Sequence, residues 1–134
     1  MSEGGDRIAV VDDEPSMCRA LQRLLVAAGF TVDAFASGEE FLRSIRESVP
    51  DYVILDLHMP GMTGFEVQER LAEARVPVPV IVITGHDSPE ARERALAAGA
   101  AAYLCKPADE DVLLAAIEKC RAQSTIPAPG PTTD

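Results

Sequence analysis

The chain is short of basic charge, short of cysteine and without a long apolar run, and each shortage narrows what it can be. Twelve Lys and Arg stand against twenty-two Asp and Glu, a formal net charge of −10. A surface that grips nucleic-acid phosphates carries a basic face, so direct nucleic-acid binding by this chain is not expected. No stretch of about 18 apolar residues occurs, so no membrane-spanning helix is expected. The opening residues, MSEGGDR, lack the apolar core of a secretory signal, and the expected location is the cytoplasm. The three cysteines, Cys18, Cys105 and Cys120, are an odd count with no C-x-x-C spacing. They read as reduced, mostly buried small apolar residues. No glycine-rich loop of the phosphate-cradling kind is present, so nucleotide binding is not indicated. Neither an internal repeat nor a second domain is visible.

What is present alternates regularly. IAVV (8–11), YVIL (52–55) and VIVI (80–83) are short, continuous, β-branched apolar runs. Such runs suit strands buried on both faces, as in parallel sheets. TVDAF (31–35) alternates and suits an edge strand; AYLC (102–105) is a fifth candidate. Helical patterns lie between them. Met17, Leu21, Leu24, Leu25 and Ala28 share one apolar face, with Gly29 as the stop. Ser37 to Glu40 and Thr63 to Glu66 have capping-box spacing. Ser88-Pro89 opens another helix and Gly99 closes it. Asp109 caps a last helix with Val112, Leu113, Ala116, Ile117 and Cys120 inside. Five alternating βα units predict a parallel sheet with helices on both faces. Residues 1–6 read as a flexible N-terminus and 7–123 as one domain. Residues 124–134, rich in Pro, Thr and Gly, read as a disordered tail or the start of a linker.

Every strong strand ends in a polar group of a different kind. IAVV runs directly into Asp12 and Asp13, YVIL into Asp56, VIVI into Thr84 and AYLC into Lys106. An adjacent Asp-Asp pair alone fits a solvated turn or a helix start. In an open parallel sheet, however, strand carboxyl ends share one edge, and ligands bind there. Three carboxylates converging on that edge require a cation, and an all-oxygen donor set suits Mg²⁺, with Mn²⁺ as a substitute. A carboxylate can also act as a nucleophile and become an aspartyl phosphate, and Asp56 is the candidate. Lys106 supplies a point charge and Thr84 a hydroxyl to the same phosphoryl oxygens.

These residues, in this order, resemble the receiver domain of bacterial two-component response regulators. The likeness runs from about Arg7 to Arg121. It is carried by Asp12-Asp13, DLHMPGMTG around Asp56, ITG with Thr84, and GAAAYLCKP with Tyr103, Lys106 and Pro107. Two segments, VIVITGHDS and ALAAGAAAYLCKP, look nearest to the receivers of nitrogen-fixation-type regulators. The resemblance implies a flavodoxin-like (βα)5 fold with a five-stranded parallel sheet of order 2-1-3-4-5. It implies that Asp56 accepts a phosphoryl group from the phosphohistidine of a sensor histidine kinase or a phosphotransfer protein. It further implies Asp12 and Asp13 as Mg²⁺ ligands, Asp13 the more direct, completed by the backbone carbonyl of His58. Thr84 and Tyr103 would be switch residues, and the Lys106–Pro107 peptide would be cis. His58 and His86 occupy positions that in the family tune dephosphorylation. A neutral imidazole at either would steer or activate water; the plainer alternative is two exposed loop residues.

The expected output surface is the fourth and fifth helices with the fifth strand, roughly 89–121. It would engage a downstream target protein or an output domain, or form a phosphorylation-dependent homodimer. Two other functions compete: an interaction module that works without phosphorylation, and an aspartate-nucleophile phosphatase. The complete set of Asp12, Asp13, Asp56, Thr84 and Lys106 opposes the first. The second resembles D-x-D-x-T or D-x-D-x-V after the first strand, which this chain lacks. The chain is therefore expected to accept and lose a phosphoryl group without turning over an independent substrate.

Overall fold

In a computed structural model, residues 6–125 are described, with side chains from 6 to 121. The elements, in order, are β1 (Arg7–Val11), α1 (Pro15–Ala27), β2 (Thr31–Phe35), α2 (Gly38–Ser44) and β3 (Tyr52–Asp56). They continue with α3 (Gly64–Glu73), β4 (Val80–Thr84), α4 (Pro89–Ala97), β5 (Ala102–Cys105) and α5 (Glu110–Thr125). The five strands form one parallel sheet of order β2-β1-β3-β4-β5. β2 is an edge strand, as its alternation predicts.

Strand periodicity splits the core in two. Ile8, Val10, Tyr52, Ile54, Ile81 and Ile83 face α1 and α5, meeting Leu21, Leu25, Leu113 and Ile117. Ala9, Val11, Val53, Leu55 and Val82 face the other way, onto Phe41 of α2, Val67 and Leu71 of α3, and Ala95 of α4. Successive residues of a strand point to opposite faces, so a strand covered on both sides must be apolar throughout. β3 and β4 are buried at every position.

The helix boundaries follow local chemistry. Thr63 and Glu66 form a reciprocal capping box. Ser37 accepts from the Glu40 N–H, but the Glu40 carboxylate turns to the Ala36 N–H at 3.4 Å, so only half the predicted box forms. Gly29 and Gly99 take φ of 102° and 104° just after α1 and α4, the left-handed geometry that ends a helix and favours glycine.

Several expectations are corrected. Val112 is 46% exposed rather than inside, because it lies in the first turn of α5, outward of Leu113. Ala28 is exposed too, because α1 ends at Ala27 and Ala28 is its capping residue. The cysteines are mostly buried as expected, Cys18 and Cys120 inside, with Cys105 exposed at the carboxyl end of edge strand β5. α5 runs through Thr125, so Ser124 and Thr125 are helical rather than tail. Residues 1–5 and 126–134, read as a flexible terminus and a tail, lie outside the described residues.

α4 buries one residue, Ala95, so its stability leans on its cap. The Ser88 hydroxyl accepts the Ala91 N–H at 3.0 Å. Ser88→Ala is expected to cost about 1 kcal/mol, read as a lower urea midpoint with an unchanged m-value.

Candidate functional site

The chain passes from β1 to β2 on one side and returns to β3 on the other. The carboxyl ends of β1 and β3 therefore flank a topological switch point, where an open α/β sheet has its natural crevice. Asp12 and Asp13 stand just past β1 and Asp56 closes β3, so the fold brings all three acids together. Ligand oxygens of the three lie within 4.8 Å of one another. Asp12 and Asp56 are 3% and 5% exposed, and Asp13 is half-buried.

Such a cluster repels itself unless a cation joins it. Lys106, at the end of β5, reaches across with its Nζ 3.0 Å from Asp12 Oδ2 and 3.7 Å from Asp56 Oδ2. Glu14 also binds the Lys106 ammonium, at 3.4 Å. The position of Glu14 at the helix start was legible from sequence; its reach to Lys106 was not. Burial opposes the charge on Lys106, but Asp12, Asp56 and Glu14 outweigh it and hold its pKa up. Asp56 moves the other way in charge terms. Burial and the neighbouring Asp12 carboxylate push its carboxyl pKa up, against the opposing pull of Lys106 and of the His58 N–H. Asp12, Asp13, Asp56 and Glu14 against one ammonium leave three negative charges unmatched. A hard divalent cation with oxygen ligands fits that remainder.

Thr84 is fully buried at the end of β4. Its Oγ1 accepts the His86 N–H at 3.0 Å and lies 3.3 Å from His58 Nδ1. The His58 N–H approaches Asp56 Oδ1 at 3.4 Å. Both histidine side chains are exposed. Tyr103 is buried and its hydroxyl has no hydrogen-bond partner; burial and then nearby Asp87 push its pKa up. The Arg92 guanidinium lies 5.6 Å from its ring centroid. The Lys106–Pro107 peptide is cis. Gly64 lets α3 start directly against β3: a Cβ there would lie 2.4 Å from the Asp56 carbonyl oxygen. The sequence-predicted residues Asp12, Asp13, Asp56, Thr84, Lys106, His58 and His86 thus share one edge of the sheet, with Tyr103 buried within β5.

Fold and site together define a flavodoxin-like α/β protein with an acidic, lysine-bridged crevice at the carboxyl edge of its sheet. The chain belongs to the response regulator receiver domain family, whose model matches residues 8–118. Transcriptional regulatory protein TcrA of Mycobacterium tuberculosis is 39% identical over 125 residues, covering 93% of this chain and 49% of its own. DNA-binding transcriptional regulator NtrC of Salmonella typhimurium is 35% identical over 132 residues, covering 93% of this chain and 28% of its own. The chain thus spans about half or less of the length of these curated relatives. A response regulator receiver protein from Burkholderia phymatum has a similar structure, with a TM-score of 0.78 at 45% identity, covering 88% of this chain and 96% of its own. A CheY-like receiver domain from Methanospirillum hungatei gives a TM-score of 0.83 at 32% identity, covering 89% and 96%. The chain is therefore a signalling receiver of the two-component type. Among the described residues, no helix is long and apolar enough to cross a membrane.

Proposed function

We propose that this chain is a phosphorylation-controlled switch in the cytoplasm, with Asp56 as the phosphoacceptor. The observation that carries the reading is the convergence of three carboxylates with Lys106 and Thr84 on one crevice. The donor is a phosphohistidine on a sensor histidine kinase or a phosphotransfer protein. A carboxylate oxygen of Asp56 attacks phosphorus, the P–N bond breaks, and the departing imidazole keeps the electron pair and takes up a proton. Asp12, Asp13, Asp56 and the His58 backbone carbonyl would hold Mg²⁺, or Mn²⁺ in its place. That ion supplies charge neutralisation for the incoming phosphoryl oxygens.

The residues of the chain do the rest. Lys106 exchanges its contact with Asp12 for a phosphoryl oxygen. The Thr84 hydroxyl donates its single proton to another, which draws it away from His58. Tyr103, buried in β5, is the second switch residue and responds to that movement. The change biases a two-state surface on α4, β5 and α5 toward the form that engages a target protein, an output domain or a second copy of the chain. Hydrolysis of the aspartyl phosphate by water resets the switch, and His58 and His86 flank that water. The chain processes no independent substrate, so it is a switch rather than a turnover enzyme.

The test is intact-protein mass after incubation with acetyl phosphate and Mg²⁺, beside Asp56→Asn. One added phosphoryl group is expected, absent without Mg²⁺ and absent in the variant. No adduct after rapid quenching, together with no binding of beryllofluoride, would turn the reading to an interaction module that works without phosphorylation.

A further inference from the structure

Among the described residues, four polar or charged side chains are buried: Asp12, Asp56, Thr84 and Gln68. The first three belong to the crevice and Gln68 does not. It lies on α3, 3% exposed, where α3 faces α4. Its Nε2 donates to the Ala95 carbonyl of α4 at 3.0 Å. Its Oε1 is buried with no hydrogen-bond partner. A buried amide satisfied at one end only holds a seam less firmly than an apolar side chain of the same length.

The two helices are unequally held. α3 is pinned to the Asp56 segment through Gly64. α4 buries Ala95 alone. Its aromatic contacts come from two exposed guanidiniums, Arg94 at 4.0 Å from the Phe65 ring centroid and Arg92 over Tyr103. Beside Gln68 the seam opens into a cleft of about 140 Å³ lined by Leu71, Val78 and Ala98. The Ala95 carbonyl lies in the last turn of α4, where carbonyls find no N–H within the helix. It also accepts the Ala100 N–H at 3.1 Å, so loss of the Gln68 bond would not leave it unsatisfied. Outward movement of α4 would break one shared bond and give both ends of the amide to water. We propose that Gln68 is a releasable latch on α4. Its N–H sets the resting position of α4 against α3, and its unpartnered carbonyl keeps that position easy to leave. Gln68 is a positioning residue that acts through α4. The latch is a property of the unmodified chain; only its effect on switching rests on the phosphoacceptor reading.

The experiment follows hydrogen exchange in the full chain with no phosphodonor, comparing α4 amides with those of β3. Gln68→Met keeps the length and removes both the donor and the unpartnered oxygen. It is expected to slow α4 exchange about tenfold relative to β3. Gln68→Glu keeps the length but sets an acceptor against the Ala95 carbonyl, and should speed α4 exchange by about as much. A side chain that only filled space would shift both variants the same way. If Gln68→Glu does not fold, Gln68→Leu takes its place and should slow exchange as Gln68→Met does. With Mg²⁺ present, the beryllofluoride midpoint should rise several-fold in Gln68→Met, because the binding-competent form becomes rarer. Faster α4 exchange in Gln68→Met would mean that the Ala95 bond alone holds α4, and would overturn the proposal. Unchanged exchange in the variants would overturn it too, as would equal shifts in α4 and β3, which mark global stability. Equal beryllofluoride midpoints in parent and Gln68→Met would overturn the part of the latch in switching. Slower α4 exchange with no beryllofluoride bound by any of the proteins, parent included, would uphold the latch and overturn the phosphoacceptor reading.

Discussion

In Mg²⁺-free buffer at neutral pH, Asp56→Asn is expected to melt above the parent protein by roughly 3–8 °C. Asp56, the proposed phosphoacceptor, is an ionised group that the fold holds at a cost. Burial first, and then the Asp12 carboxylate, raise the Asp56 carboxyl pKa above its ordinary value, and Lys106 and the His58 N–H offset this only in part. The sign follows from linkage. A carboxyl whose folded pKa lies above its unfolded value contributes stability that is complete below the unfolded value, near 3.8. That contribution is lost as pH rises through the folded value. At neutral pH the parent therefore carries the cost and asparagine, neutral and nearly isosteric, does not. As the pH falls below the ordinary carboxyl value, the parent's Asp56 is protonated and the two melting temperatures should converge. Mg²⁺ should act in the opposite direction. An ion bound by the folded form alone stabilises by mass action, and it gains most where all three carboxylates are intact. Saturating Mg²⁺ is thus expected to narrow or reverse the order. Melting curves from about pH 3 to 8, with and without Mg²⁺, check both parts. A variant less stable than the parent at pH 7 without Mg²⁺ would mean that Lys106 already balances the cluster.

The same electrostatics explain why the site was legible before any coordinates. A polar residue at the end of an apolar strand run sits at a known edge of a parallel sheet. Asp12, Asp13, Asp56, Thr84 and Lys106 could be gathered there from topology alone. The strands were legible for a related reason. Ile8 to Val11, Tyr52 to Leu55 and Val80 to Ile83 are apolar at every position, because both faces of the sheet are covered. Edge strand β2 was legible by contrast, since Ala34 and Asp33 remain exposed there.

What stayed hidden depends on loop paths and side-chain reach, which spacing does not constrain. Nothing in the sequence brings His86 against His58, or aims His58 Nδ1 at Thr84. Glu14 reads as a helix-start acid, yet its carboxylate turns to Lys106, ninety-two positions away. At the opposite end of the sheet, Arg121 of α5 binds Asp6 at 2.9 Å, and Tyr52 donates to the same carboxylate at 3.3 Å. Helix ends misled in a systematic way. Val112 and Ala28 continue an apolar period, but Val112 lies in the first turn of α5 and Ala28 is the residue that caps the end of α1, and both are exposed. Periodicity identifies a face without fixing how far along the helix that face is covered.

Gly64→Ala is expected to cost roughly 2–4 kcal/mol and to impair Mg²⁺ binding in the same protein. The position is the first residue of α3, where glycine has no conformational necessity; its need is spatial. A Cβ would meet the Asp56 carbonyl oxygen at 2.4 Å and the Leu57 Cα at 2.8 Å. Both are backbone atoms, which no rotamer change can move. The Gly64 N–H also donates to the Leu57 carbonyl at 3.0 Å, so α3 is pinned to the segment it would have to leave. Alanine's better helix propensity returns at most about 1 kcal/mol, less than the overpacking. The displaced segment carries the Asp56 carboxylate and the His58 carbonyl, hence the coupled loss in the crevice. Two controls separate this from a general intolerance of alanine. At Gly38 the added carbon meets the Val67 and Met62 side chains, at 2.6 and 3.1 Å, side-chain rather than backbone atoms, of which the unbranched Met62 can shift more readily than the buried Val67. At Gly85 it meets only the Lys106 side chain, at 3.7 Å, an ordinary contact. Urea unfolding should therefore rank Gly85→Ala nearest the parent, Gly38→Ala between, and Gly64→Ala lowest. A Gly64→Ala protein within about 0.5 kcal/mol of the parent would mean that α3 can slide off β3 freely. The close approach would then have no part in holding the acid cluster together.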